Sequence, residues 1–335
     1  MAIALSILSV TPAAGCGGAG GGPGTSGTLT LYSAQHEGPT NALVKAFERQ
    51  TGASVQVRFG ADDELASQIA AEGSVSPADV FLAENSPPLT LLAEKGLLAK
   101  LASSTLARVP TKYNSPSGDW VGVAARETAL IYDPRQVAPG QLPHSILDLA
   151  QPAWRGRLAI APAEPDFQPV VAAVSKLDGE AAAERWLTGF QSNAKRYNDN
   201  EGIVAAVEHG QVAVGVVNHY YWYRLAQEVG FARMRSRLYY FGHGDPGALV
   251  DVSGAGVLRS SRRQSLAQRF VAFLVSSAGE RALVRSGDWE YPLGSGVAPA
   301  PGLEPFDHLE APSVAPADLG DGHVALGLLQ RAGLL

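Results

Sequence analysis

The chain has 335 residues, 46% apolar and 17% charged, with a formal net charge of −6. That length suits about two domains of roughly 150 residues, and the composition is that of a folded chain, not a disordered or collagen-like one. No basic field of the kind a nucleic-acid binder carries is present, and mild acidity says little beyond solubility.

The first segment, residues 2–14, is apolar and small, and leads into Ala13-Ala14-Gly15-Cys16 and a glycine-rich run to Gly27. Such a stretch reads as a signal segment and is too short to span a bilayer as a helix. Cys16 is the single cysteine. Small residues directly before it resemble a lipoprotein-type signal over 1–16, with Cys16 acylated and 17–27 a flexible tether. Two features depart from that pattern: no Lys or Arg precedes the apolar run, and Ala13 stands where leucine is usual. Plain secretion and a disordered cytoplasmic leader are the other readings. A thiol-free body suits an oxidising compartment.

A strand opens the body at 29–32. Leu43, Val44 and Phe47 fall at helical spacing over 37–50, and Gly52 ends that helix. Val55, Val57 and Phe59 alternate with polar residues as a second strand. Leu65 and Ile69 mark a helix whose first residues, Asp62 and Asp63, read as solvent-facing. A strand follows at 78–83, then a helix with Leu91, Leu92 and Ala93 that stops at Gly96. In the second half we expect strands at 130–132 and 158–161, helices at 170–177 and 179–190, an apolar strand at 212–218 and a helix from Tyr223. Strands alternating with helices predict an α/β architecture with a mainly parallel sheet.

Ligands of open α/β sheets bind beyond the carboxyl ends of strands. Three loops meet that condition: 33–38 with His36, 84–88 with Glu84, and 218–222 with Tyr220 and Tyr221. A phenol has a pKa near 10 and stays neutral unless something draws its proton away; a bound cation does so. Two phenolates and one carboxylate balance a trivalent ion, whereas zinc prefers Cys and His, and calcium or magnesium carboxylates and carbonyls. Such a donor set points to ferric ion. Each residue alone has an ordinary reading. Aromatic runs such as Asn218-His219-Tyr220-Tyr221-Trp222-Tyr223 are usually core or sugar-stacking surface, a lone histidine is more often at a surface or a cap, and a loop glutamate is most often solvated.

Tyr32-Ser33-Ala34-Gln35-His36, Ala78-Asp79-Val80-Phe81-Leu82-Ala83-Glu84-Asn85 and the aromatic run together resemble the bacterial periplasmic ferric-binding proteins, solute-binding subunits of iron ABC importers. Asp245-Pro246-Gly247-Ala248-Leu249-Val250 and Glu290-Tyr291-Pro292-Leu293 continue the resemblance, which covers nearly all of 29–335. It implies a type II periplasmic-binding fold of two α/β lobes joined by a two-strand hinge, with crossovers near 126–130 and 248–252. The lobes implied are 28–127 plus 251–303 and 128–250 plus 304–335. It implies Fe(III) held by His36, Glu84, Tyr220 and Tyr221, a permease partner, no nucleic acid, and a monomer outside the cytoplasm anchored to membrane through Cys16.

The family often completes its site with a bound anion and water. Asn85, Asn200 and Asn218 fall on the amide positions, but the Ser-Gly-Ala turn of the family is replaced by Glu164-Pro165-Asp166. Backbone N–H groups at a helix start favour anions; two carboxylates and a proline oppose them. We therefore expect weak or absent anion dependence, with Glu164 or Asp166 near the metal, water in the remaining positions, or both acids capping the following helix. Arg126 either neutralises charge beside Glu84 or forms a surface salt bridge. A same-fold binder of an organic solute such as a polyamine, thiamine or sugar is the alternative. No P-loop, Rossmann fingerprint, nucleophile elbow or HExxH pattern suggests an enzyme.

Overall fold

The computed structural model describes residues 27–294 and 296–335. Cys16, the expected signal segment and all of the tether but Gly27 lie outside the described residues. Ten strands are present among them: β1 (Thr28–Ser33), β2 (Ser54–Phe59), β3 (Val80–Ala83), β4 (Trp120–Tyr132), β5 (Leu158–Ile160), β6 (Ala194–Arg196), β7 (Val214–Asn218), β8 (Arg237–Tyr239), β9 (Val250–Val257) and β10 (Tyr291–Pro292). The helices of the first half are α1 (Glu37–Thr51), α2 (Asp62–Glu72), α3 (Ser86–Glu94) and the single turn α4 (Ser103–Leu106). Next come α5 (Phe167–Asp178), α6 (Glu180–Asn193), α7 (Asn200–Glu208) and α8 (His219–Val229), then α9 (Gln264–Leu274), α10 (Ser277–Ser286) and α11 (His323–Arg331).

The strand order is β2-β1-β3-β9-β4-β7-β5-β6, with β8 and β10 also paired to β4. Parallel pairing holds within β2-β1-β3 and within β6-β5-β7, but every pair made by β4 or β9 is antiparallel. The sheet is therefore mixed, which corrects the mainly parallel expectation. Sequence periodicity shows that a strand exists; it does not show which strand lies beside it.

β4 is also longer than expected. It runs as one strand from Trp120, so Arg126 lies within it instead of ahead of a short strand at 130–132. Its residues 120–127 pair with β9 and its residues 128–132 with β7. One core gathers residues from β1, β3, β9, α1 and α9, including Leu31, Phe47, Phe81 and Phe270. A second lies around α5, α6 and α11, including Val171, Trp186, Phe190 and Leu328. A third, smaller core of Ile131, Ile203, Val207 and Val217 carries Tyr220 and Tyr221. The segment between β10 and α11 touches both sides: Phe306, Leu309 and Ala317 lie on the first core, and Val314 on the second.

Local chemistry accounts for the element ends. Gly52 adopts φ 72° and its N–H meets the Glu48 carbonyl, the left-handed stop that a glycine makes cheaply. Pro87 and Pro88 stand in the first turn of α3, where a missing N–H costs nothing.

Candidate metal centre

Three chain segments meet where β1, β3 and β7 end. His36 precedes α1, Glu84 follows β3, and Tyr220 and Tyr221 occupy the first turn of α8. The expected loop at 218–222 is therefore mostly helix; β7 passes into α8 with Asn218 at the cap. Neighbours on a helix point about 100° apart, yet both phenols reach one spot, with ring centroids 4.3 Å apart.

The donors touch one another. His36 Nε2 lies 3.2 Å from Tyr220 Oη and 3.2 Å from Glu84 Oε1. The Tyr220 hydroxyl donates to Glu84 Oε1 at 2.9 Å. These are hydrogen-bond separations, and they leave the three donor atoms close enough together to face one ion. Among the described residues no three His, Cys, Asp or Glu side chains are grouped to hold a metal by themselves.

Asp166 joins the cluster. It stands at the cap position of α5 but makes no side-chain cap bond, which corrects the capping expectation. Its Oδ2 accepts from the Tyr220 hydroxyl at 3.1 Å, the Tyr221 hydroxyl at 3.0 Å and Asn200 Nδ2 at 3.4 Å. Its Oδ1 accepts from Asn85 Nδ2 at 3.4 Å and lies 3.8 Å from Arg126 Nε. Glu164 is half-buried, and no contact to the phenols is found for its side chain among the described residues. Thr128, Asp166, Asn200 and Asn218 line a cavity of about 10 Å³, roughly the room one water needs.

Arg126 is buried beneath these groups, which rules out the surface salt bridge. It donates to Asn85 Oδ1 at 2.7 Å and to Glu290 Oε1 at 3.2 Å. Glu290 Oε2 in turn accepts from Gln35 Nε2 at 2.9 Å, and Gln35 Oε1 accepts the His36 N–H at 2.7 Å. The surrounding carboxylates hold the guanidinium firmly charged against the cost of burial. Burial first, and then the charge of Asp166, push the Glu84 carboxyl and both phenols well above their ordinary values. Burial therefore favours the protonated forms of the phenols and of Glu84, and a bound cation would reverse that preference.

Three supporting residues were not foreseen. Asp62, read as solvent-facing, is buried and accepts the Glu84 N–H at 3.0 Å, the Asn85 N–H at 2.9 Å and Asn85 Nδ2 at 3.0 Å. His219 accepts the Glu127 N–H on Nδ1 at 3.1 Å and donates from Nε2 to the Trp289 carbonyl at 2.8 Å, tying α8 to β4. Burial lowers its pKa to about 4, so it stays neutral. Glu290 follows Trp289, which sits at φ 66°, a conformation non-glycine residues adopt rarely. His219 and Glu290 stand inside stretches that carry the family resemblance, which is the one signal the sequence offered for them; Asp62 has none.

A profile of the bacterial extracellular solute-binding proteins matches residues 29–287. The chain belongs to that family. Among its relatives, the Fe(3+)-binding periplasmic protein of Serratia marcescens is 42% identical over 307 residues, 92% of this chain and 90% of the relative. The major ferric iron-binding protein of Neisseria meningitidis serogroup B is 40% identical over 310 residues, 91% of this chain and 93% of the relative. The crystal structure of iron-bound HitA from Pseudomonas aeruginosa matches this solute-binding protein with a TM-score of 0.88 at 46% identity, covering 91% of this chain and 99% of that one. A Trichodesmium protein in complex with iron and citrate matches with a TM-score of 0.80 at 29% identity, over 91% and 99% of the two chains.

Proposed function

We propose that this solute-binding protein captures ferric ion outside the cytoplasm and delivers it to the permease of an ABC importer, acting as a carrier and not an enzyme. His36, Glu84, Tyr220 and Tyr221 hold the ion. The observation that carries the reading is the meeting of the Tyr220 phenol, the His36 imidazole and the Glu84 carboxylate within 3.2 Å of one another, with the Tyr221 ring centroid 4.3 Å from that of Tyr220. The ferric-binding relatives and the iron-bound structural match support it.

The lobes are 28–127 plus 251–303 and 128–250 plus 304–335, supported by the handover of β4 from β9 to β7. His36 and Glu84 then come from one lobe and the tyrosines from the other. An ion bound by both sides is fully coordinated only when the lobes are together, so it favours the closed form. Each phenol loses its proton as iron enters, and acid therefore releases the ion. The chain is a monomer, anchored through Cys16.

The test is a ferric titration of the purified protein. Wild type develops a visible tyrosinate-to-iron charge-transfer band that saturates at one ion per chain. Tyr220→Phe and Tyr221→Phe each weaken or abolish it. A band untouched by both substitutions, or a cleft that takes an organic solute and no iron, ends the reading.

A further inference from the structure

Residues 287–290, the strap between α10 and β10, reach both halves of the donor set. On one side, Glu290 Oε2 accepts from Gln35 Nε2 at 2.9 Å, and Gln35 Oε1 accepts the N–H of His36 at 2.7 Å. On the other side lies α8, whose first turn carries Tyr220 and Tyr221. The Trp289 carbonyl accepts from His219 Nε2 at 2.8 Å, and the Trp289 indole N–H donates to Gln227 Oε1 at 2.7 Å. The indole stacks on Tyr223, with centroids 4.9 Å and planes 19° apart, and meets Phe231 edge-on at 5.5 Å. Aromatic pairs at such separations attract beyond the area they bury.

Two further features single out Trp289. Among the described residues it is the partly buried apolar side chain that packs against both the first core and the smaller core carrying the tyrosines. Its backbone sits at φ 66°, a region that bulky residues avoid. Such a conformation persists only where surrounding contacts over-determine it, and it recurs at ligand clamps. Here those contacts are the stack, the indole bond and the carbonyl bond. Gly287 ends α10 at φ 78°, and a Cβ there would come within 3.3 Å of Gln227 Nε2, so the strap lies close against α8. Its own end is anchored to β4, where Tyr291 pairs with Ala125 and Arg126 donates to Glu290.

We propose that Trp289 is a positioning residue: it clamps α8, with its two phenols, to the lobe that supplies His36 and Glu84, and so sets the rate at which iron leaves. It contributes no donor atom. In the lobe division proposed above, Trp289 and Glu290 belong to 28–127 plus 251–303, whereas α8 and Phe231 belong to the other lobe. The indole therefore holds the two lobes to each other. As the lobes part, the stack on Tyr223 and the bond to Gln227 break along with the coordination of the ion, and each raises the barrier to release. The inference rests on the ferric reading and on that lobe division, and it concerns the kinetics of release, not the identity of the donors.

The experiment loads wild type, Trp289→Gly, Trp289→Phe and Trp154→Ala with ferric ion. It then follows the decay of the charge-transfer band in a chelator excess large enough that the rate no longer depends on chelator concentration. Glycine accepts a positive φ without strain, so Trp289→Gly removes the ring and leaves the carbonyl bond to His219 in place. That variant is expected to show the band at the wild-type wavelength and intensity, and to lose iron about 10–100-fold faster, the range over which partners outside the coordination sphere act. Trp289→Phe keeps a ring on Tyr223 but has no N–H for Gln227, and its rate should fall between the two. Trp154→Ala removes an indole from the second core; it should melt below wild type and release iron at the wild-type rate. The inference is overturned if Trp289→Gly releases iron no faster than wild type or if its band moves. It is equally overturned if Trp154→Ala releases iron as fast as Trp289→Gly, because release would then follow global stability. A wild type without any band would overturn the ferric reading, and this inference with it.

Discussion

A buried phenol keeps its proton, and at Tyr220 and Tyr221 burial and Asp166 push the same way. The residue types at this site were readable in the sequence, because an imidazole, a carboxylate and a phenol pair at strand ends form an unusual donor set. The orientation of Asp166 was not. A helix cap and a site carboxylate have the same one-letter code, and only the neighbours of the side chain distinguish them. Glu127 shows the same point away from the site. It is buried on β4, and its Oε2 has no partner among the described residues. Burial, and then the charge of Glu304, raise its carboxyl from 4.5 to about 8. An acid raised in the folded state contributes fully below its unfolded pKa, here 4.5, and loses that contribution as pH rises through about 8. Glu127→Gln removes the titration. The variant is expected to gain on wild type as pH rises across that window, by up to roughly 4 kcal/mol at its upper end, read from urea denaturation at both ends. Equal differences at the two ends would show that Glu127 is ionised in the fold.

At the scale of elements, the site depends on how two helices begin. α8 starts directly on β7, so the phenols sit at the positive end of a helix, where developing phenolates are favoured by roughly 0.3–1 kcal/mol. α2 begins with Asp62, whose carboxylate takes the two N–H groups that shape the turn carrying Glu84. Adjacent acids at a helix start gave no sign of this, because the turn they serve lies more than twenty residues further along the chain. Asp62→Ala would leave those N–H groups without their acceptor. We expect a loss of about 1–3 kcal/mol in stability and a drop of about 10–100-fold in iron affinity, by denaturation and chelator competition. Unchanged affinity would mean that the turn holds Glu84 without help.

For the whole molecule, β4 and β9 connect the two halves, and groups from both sides of that connection converge on one point. Cargo that binds only the assembled arrangement must stabilise it. Iron at about a thousandfold over its dissociation constant adds roughly 4 kcal/mol. At about 2–4 °C per kcal/mol for a body of this size, the melting temperature should rise by about 10 °C in calorimetry. The Tyr220→Phe, Tyr221→Phe double variant should not respond. A rise of the same size in that variant would place the stabilising ion elsewhere.

The sequence by itself determined the α/β class, the alternating strands and helices from β1 to α3 and again at β5, α5, α6 and β7, and the strand ends that carry His36, Glu84 and the tyrosines. Those features depend on periodicity and on short-range chemistry, both of which are local. Tertiary structure decided the antiparallel pairing of β4 and β9, the burial of Arg126, Asp62 and Glu290, and the turn of Asp166 toward the phenols. Each of these depends on groups distant in the chain: Arg126 pairs with Glu290 across 164 positions, and Tyr220 meets Glu84 across 136. Partners at such separations leave no periodic trace in a single sequence, because any register of the sheet would satisfy the local pattern equally well.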